Sequence, residues 1–224
     1  MSEMSRIVVV GASLAGLRAV EFIRRAKFDG DLVLVGDEAR LPYDRPPLSK
    51  EVLREAFDEQ RLALRRKSYD DLHAELILGQ SAVALDTAAR EIGLADGRTL
   101  PFDGLVIATG GHARSLPNQP DLAGLHTLRS FDDAMSIRAS LSGGGRVAVI
   151  GAGFIGAEVA ASARQLGLEV TMIEALETPL AQSLGPRLGR ILQGIHERHG
   201  AAVRCGSRVQ RFRGAERISG VVLD

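Results

Sequence analysis

Two glycine-rich turns carry the residues of this 224-residue chain best suited to chemistry. Gly151, Gly153 and Gly156 follow a run of Val and Ile and open an apolar-periodic helix. Phe154 and Ile155 fill the turn, and Glu174 ends the next apolar run about 20 residues on. In such a turn the first glycine permits the tight bend and the second lets a pyrophosphate approach the backbone. The third lets helix and strand pack closely, and the helix N-terminus offers N–H groups and partial positive charge. A carboxylate ending the second strand accepts hydrogen bonds from a ribose. The chemistry is that of holding a dinucleotide. Glu174, in place of a basic cluster, favours NAD over NADP, because a carboxylate repels a 2′-phosphate.

The elements that must position these residues are written twice. RIVVVGASLAGLRAVEFIRR begins at Arg6 and RVAVIGAGFIGAEVAASARQ begins at Arg146. Each reads as strand, turn, helix, second strand (Leu32 to Val35, Val170 to Ile173) and acid. The first turn is Gly11, Ser13, Leu14, Ala15 and Gly16, and its acids are Asp37 and Glu38. Ser13 replaces the middle glycine, so the first copy alone leaves plain packing as open a reading as cofactor binding. Two copies with downstream acids point to two dinucleotide sites, one cofactor passing electrons to the other. The expected fold is α/β with two Rossmann-like units, residues 1–115 and 116–224, divided in the Gly/Pro segment Gly111 to Gly124.

Between the repeats, alternation and turn residues predict strands at Ala82 to Asp86 and Glu91 to Leu94, a turn at 95–98 and a returning strand. The apolar strand GLVI then ends on Ala108, Thr109 and Gly110, small residues that let a strand end approach a nucleotide. Helices are expected over 50–58, 131–141 and 184–199, with short strands to Leu223. The stretch YDRPPLSKE holds a contradiction. Ser49 looks like an N-cap, which puts Lys50 in a first helical turn, where the helix dipole disfavours a cation by ~0.3–1 kcal/mol. An ordinary surface lysine tolerates that penalty, and so does a functional one.

Lys plus Arg equals Asp plus Glu, at 28 each, so no net field favours nucleic acid or an anionic membrane. The runs Arg24-Arg25 and Arg65-Arg66-Lys67 read as solvated helix faces. Cys205 is the single cysteine, which leaves no internal disulfide, CxxC site or CxxxxC pair for disulfide-reductase chemistry. His196 and His199 share a helical turn without other metal ligands. No signal-peptide core is visible in MSEMSR, and three glycines interrupt the apolar stretch 147–163, so a cytoplasmic protein is expected.

VGASLAG, GDEARLPYDRPPLSKE, VIATGG, LRSFDDA and GAGFIGAEVA occur here in order. Together they resemble the FAD-dependent, NADH-using ferredoxin reductase family, which includes putidaredoxin and rubredoxin reductases. The resemblance implies that Gly11 to Gly16 cradle the FAD pyrophosphate and that Asp37 and Glu38 hold its ribose. It further implies that Arg45, Lys50 and Arg129 contact FAD and that Val83 bounds the adenine. Gly151 to Gly156 and Glu174 would hold NADH. Lys50 would pair with Glu158, contributed by the other domain, beside flavin N5 and the nicotinamide. Hydride would pass from NADH to flavin, and electrons onward to a ferredoxin- or rubredoxin-type iron–sulfur partner.

Family members run to about four hundred residues, so the resemblance implies a C-terminally incomplete pattern. The segment that returns to complete the FAD domain is expected to be missing. A non-catalytic NAD-binding remnant is the alternative to an enzyme.

Overall fold

The computed structural model describes residues 4–54 and 57–224. The chain divides into two compact units, Met1–Asp44 with Asp58–Gly111, and Arg45–Phe57 with His112–Asp224.

The first unit is built on a parallel sheet of β1 (Arg6–Val10), β2 (Asp31–Gly36), β3 (Glu75–Leu78) and β7 (Gly104–Ile107), in the order β3-β2-β1-β7. Helix α1 (Leu14–Arg25) connects β1 to β2. An antiparallel meander of β4 (Ala82–Asp86), β5 (Glu91–Leu94) and β6 (Thr99–Pro101) precedes β7. Because side chains alternate along a strand, β1 and β2 feed two cores. Val8, Val10, Val33 and Val35 pack with Ile92, Leu94 and Leu100 of the meander. Val9, Leu32 and Leu34 pack with Leu17 and Val20 of α1.

In the second unit, β8 (Arg146–Ile150), β9 (Glu169–Ile173) and β10 (Ala202–Arg204) form a parallel sheet ordered β10-β9-β8, connected by α4 (Phe154–Gln165) and α5 (Ala181–Arg198). That repeats the β3-β2-β1 order of the first unit. Strands β11 (Val209–Gly214) and β12 (Ile218–Leu223) make an antiparallel hairpin. Helix α3 (Phe131–Ser142) carries a capping box in which the Ser130 hydroxyl accepts from Asp133 N–H and the Asp133 carboxylate from Ser130 N–H. This is the local reason for the sequence LRSFDDA. No helix or strand lies between Ile107 and Phe131 among the described residues.

Four expectations change. Residues 45–57 fall in the second unit although the chain on either side of them belongs to the first. The helix expected over 50–58 is α2 (Glu51–Arg54), and 55–56 lie outside the described residues. Leu48, Val52 and Leu53 are at most 3% exposed. Burying each stabilises the segment by about 1.5–3 kcal/mol, far more than its four helical residues could supply alone. Helix α5 starts earlier than expected and is broken at Gly185, which leaves helical geometry at φ 76° just before Pro186.

In the basic runs Arg25, Arg66 and Lys67 are exposed as expected, but Arg24 and Arg65 are half-buried. Arg24 donates to the carbonyls of Leu72, Phe28, Gly30 and His73. Arg65 lies outside any helix and is bound to Glu21, Asp71 and the carbonyl of Ser68. Both tie loops to helix α1. Among the described residues no helix is long and apolar enough to cross a membrane, and no group of His, Cys, Asp and Glu could hold a metal ion.

Candidate functional site: two nucleotide cradles and an ion pair

The two glycine-rich turns share one geometry. Gly11 has φ +113° and Gly151 φ +92°, values that favour glycine. Their N–H groups donate to Val35 and Ile173 carbonyls, each at 2.8 Å. A Cβ at Gly16 would lie 1.8 Å from Gly11 O, and one at Gly156 would lie 1.9 Å from Gly151 O. The third glycine of each turn therefore lets the helix sit on the bend, as the spacing predicts. Neither Ser13 nor Gly153 caps its helix through a side chain. The first-turn N–H groups of Leu14, Ala15 and Gly16, and of Phe154, Ile155 and Gly156, thus stand at helix N-termini suited to an anion.

Gly153 has an ordinary φ of −73°, and an added Cβ would meet nothing within 4 Å. Neither backbone strain nor packing calls for a glycine there. The N-cap position favours glycine over alanine, and the space a Cβ would take is open to approach from outside the protein. Ser13 occupies the equivalent place in α1 with φ −124°.

In the first unit, β7 runs into the back of the turn. Ala108 N–H donates to Val10 O, and a Cβ on Gly11 would meet Ala108 O at 2.1 Å. Ala108, Thr109 and Gly110 thus gather with Gly11 to Gly16 at the carboxyl end of the sheet, where open α/β sheets bind ligands. Asp37 and Glu38 follow β2. Asp37 Oδ1 accepts from Glu38 N–H, and Glu38 Oε2 accepts from the Tyr43 hydroxyl at 2.5 Å. Val83 is 65% exposed on β4.

The acids of the two copies are not equivalent in register. Val10 pairs with Val35 and Ile150 with Ile173, which aligns Glu174 with Gly36. A Cβ on Gly36 would lie 2.4 Å from the Ala12 methyl, so the acid of the first copy comes from the following residues. Glu174 turns its carboxylate onto its own cradle, accepting from Ala152 N–H at 2.7 Å and Leu176 N–H at 2.9 Å.

Lys50 and Glu158 meet within the second unit, with Nζ 2.7 Å from Oε2. The resemblance had assigned the carboxylate to a different domain from the lysine; the structure places both in one unit. Ser49 is not a helix N-cap. It ends a 3-10 turn, Pro46–Ser49, which two prolines pre-set, and its hydroxyl donates to Glu158 Oε2 at 2.5 Å. Lys50 is the C-terminal cap of that turn, and Nζ also donates to Pro46 O at 2.9 Å. The cation therefore sits at the carbonyl end of a helical turn, where it is favoured, and the contradiction in PPLSKE disappears.

Partial burial raises the Glu158 carboxyl. The Lys50 and Ser49 hydrogen bonds and the Lys50 charge outweigh it and hold the group below the ordinary carboxylate range. With side chains 36% and 35% exposed, the pair is solvent-screened and contributes only about 0.2–1 kcal/mol to stability. Arg45 and Arg129 also belong to the second unit, Arg45 Nη1 donating to Arg129 O at 2.7 Å.

Sequence reasoning missed Ser162, whose hydroxyl donates to Ser49 O at 2.7 Å. Its only signal was a serine four residues after Glu158. It also missed Ala152, gripped by Glu174 and by Leu180 N–H at 3.0 Å.

Two parallel α/β units with matching phosphate-type turns define a dinucleotide-binding oxidoreductase fold. Residues 5–224 match the pyridine nucleotide-disulphide oxidoreductase family, and the chain belongs to it. It is 39% identical over 221 residues to rhodocoxin reductase of Rhodococcus erythropolis, covering 97% of this chain and 52% of that protein. It is 41% identical to the ferredoxin–NAD(+) reductase component of the p-cumate 2,3-dioxygenase system of Pseudomonas putida, covering 91% and 51%. The ferredoxin reductase for the CYP199A2 system from Rhodopseudomonas palustris superposes with a TM-score of 0.92 at 35% identity, covering 98% of this chain and 55% of that chain. The chain spans about half the length of the curated relatives it matches.

Proposed function

We propose that this chain supplies the two nucleotide-binding units of an FAD-dependent, NADH-using ferredoxin reductase. The observation that carries the reading is the paired cradle. Two turns share positive φ at the first glycine and contact between the third glycine and the bend, and both helices start without a side-chain cap. The first unit takes FAD, with its pyrophosphate on the N-terminus of α1 and its ribose at Asp37 and Glu38. Val83 and Ala108 to Gly110 flank it. The second unit takes NADH on the N-terminus of α4, with Glu174 at the ribose. A carboxylate already fixed by Ala152 and Leu176 N–H groups cannot swing away from a 2′-phosphate, which selects NAD over NADP.

FAD, held by Gly11 to Gly16 with Asp37 and Glu38, would supply hydride acceptance from NADH and one-electron release to a ferredoxin- or rubredoxin-type iron–sulfur acceptor. The protein's own residues position and polarise. Glu158 lies two residues beyond Gly156 on α4, so the Lys50–Glu158 pair stands one helical turn from the NADH cradle and acts there as a fixed charge pair.

The test is to add FAD to the purified chain, remove the excess and follow flavin absorbance anaerobically. A yellow protein bleached by NADH, and more slowly by NADPH, supports the reading. Colourless protein that still binds NADH identifies a non-catalytic nucleotide-binding protein, and absence of both refutes the proposal.

A further inference from the structure

Three polar residues are buried among the described residues, Ser49 (4% exposed), Ser162 (3%) and Thr178 (2%). Two of them meet at the Lys50–Glu158 pair. A buried hydroxyl without a partner costs about 1–3 kcal/mol; Thr178 Oγ1 is in that position among the described residues, whereas both serine hydroxyls are bonded. Their bonds run in series. Ser162 Oγ donates to the carbonyl of Ser49, and Ser49 Oγ donates to Glu158 Oε2, the same oxygen that Lys50 Nζ holds.

The partners lie on one stripe of α4. Glu158 and Ser162 are four residues apart and Gln165 three further, so all three face the same way. Glu158 receives the side chains of Ser49 and Lys50, Ser162 receives the Ser49 backbone, and Gln165 receives Arg54. The segment 49–54 is thereby registered along α4 one bond at a time. The Ser49 anchor falls just before the backbone leaves helical geometry at Lys50 (φ −124°, ψ −102°). Whatever fixes the Ser49 carbonyl also fixes the direction in which Lys50 departs.

We infer that Ser49 and Ser162 are positioning residues for the Lys50–Glu158 pair, Ser162 acting only through Ser49. Ser162 touches neither charged group in this chain of bonds, yet it sets where both sit. Ser49 and Lys50 both bond Oε2, so two donors converge on one oxygen of the carboxylate. This rests on the proposed function only for its link to hydride transfer. The geometric claim stands without it.

The experiment titrates the Glu158 carboxyl by carbon-13 NMR in the 224-residue chain without nucleotide, for wild type, Ser49→Ala, Ser162→Ala and the double variant. Loss of the Ser49 hydroxyl is expected to move the Glu158 midpoint upward. Loss of the remote Ser162 hydroxyl is expected to move it in the same direction. Ser49→Ala keeps the backbone carbonyl that Ser162 holds, and with it the departure of Lys50, so the double variant should move the midpoint further than Ser49→Ala alone. A role for Ser162 confined to stability would lower the melting temperature and leave the Glu158 titration where it was. That result in a folded variant overturns the inference, as does a double variant that titrates no differently from Ser49→Ala. If Ser162→Ala does not fold, Ser162→Cys, nearly isosteric with a weaker donor, takes its place with the same expectation and the same refuting outcome.

NADH binding and anaerobic flavin bleaching on the same samples separate the two proposals. Wild-type protein that neither binds NADH nor bleaches removes the proposed function and leaves the titration result to decide the inference alone.

Discussion

Gly153→Ala and Gly156→Ala differ by three positions and should fail in opposite ways. At Gly156 the new methyl would sit 1.9 Å from Gly151 O and 3.3 Å from Val149 Cγ1. Helix α4 would have to lift off β8, an overpacking that costs about 3 kcal/mol and lowers the melting temperature by roughly 6–12 °C in a protein of this size. At Gly153 the methyl meets no heavy atom within 4 Å and the backbone is already at φ −73°. The only loss is the N-cap preference of glycine over alanine, about 1 kcal/mol at most, or roughly 2–4 °C. The same methyl would stand where a pyrophosphate must approach the N-terminus of α4. Weakening one charge-assisted hydrogen bond there removes about 1.5–3 kcal/mol, which is about 10- to 150-fold in Kd. Differential scanning fluorimetry and isothermal titration with NADH read both quantities. Gly153→Ala that binds NADH as tightly as wild type would refute the assignment of this turn to a pyrophosphate, whatever its stability.

Other expectations follow from the same geometry. Glu158 has a depressed folded carboxyl value, so its contribution is present above the ordinary carboxylate range and lost as pH falls through the folded value. Glu158→Gln should therefore flatten the acid limb of a urea-denaturation pH series and change midpoint stability near neutrality by under about 1 kcal/mol. Glu174→Gln removes the charge and leaves one amide oxygen for two N–H donors, since Ala152 and Leu176 bond to different carboxylate oxygens. It should lower the melting temperature slightly and narrow the NADH-over-NADPH preference in fluorescence binding assays. Gly189→Ala would drive a methyl to 2.3 Å from Thr178 Oγ1 and 2.5 Å from Pro179 O. It should destabilise by about 1–3 kcal/mol in chemical denaturation and leave the NADH affinity of folded protein intact.

Most of the fold was legible in the sequence because local rules and tertiary packing agree in the two repeats. The Val and Ile runs, the glycine spacing and the acid at the strand end each reappear as β1-turn-α1-β2 and β8-turn-α4-β9. The meander was legible for the same reason, its strands falling at 82–86, 91–94 and 99–101 around a turn at Asp96-Gly97. The segment around Lys50 was not. Its four-residue helix is decided by contacts over a hundred positions away, with Glu158 and Ser162, and a helical pattern with an apparent serine cap carries no trace of them. Arg24 and Arg65 misled for a related reason. A charge in a helix or beside one reads as solvated until its carbonyl partners, 48 and 49 residues distant for Arg24, are known.

The placement of residues 45–57 also bears on how such a protein can be divided or recombined. The covalent chain passes between the units after Asp44, after Phe57 and after Gly111. A fragment cut cleanly at Gly111 would carry the second glycine turn but leave behind Leu48, Val52 and Leu53, baring the apolar seat they fill and stranding Glu158 without Lys50. The second unit is therefore not a transferable cassette. A gene rearrangement or an engineer that moves the NADH cradle must bring along thirteen residues encoded inside the neighbouring unit, which ties the inheritance of the two cradles together.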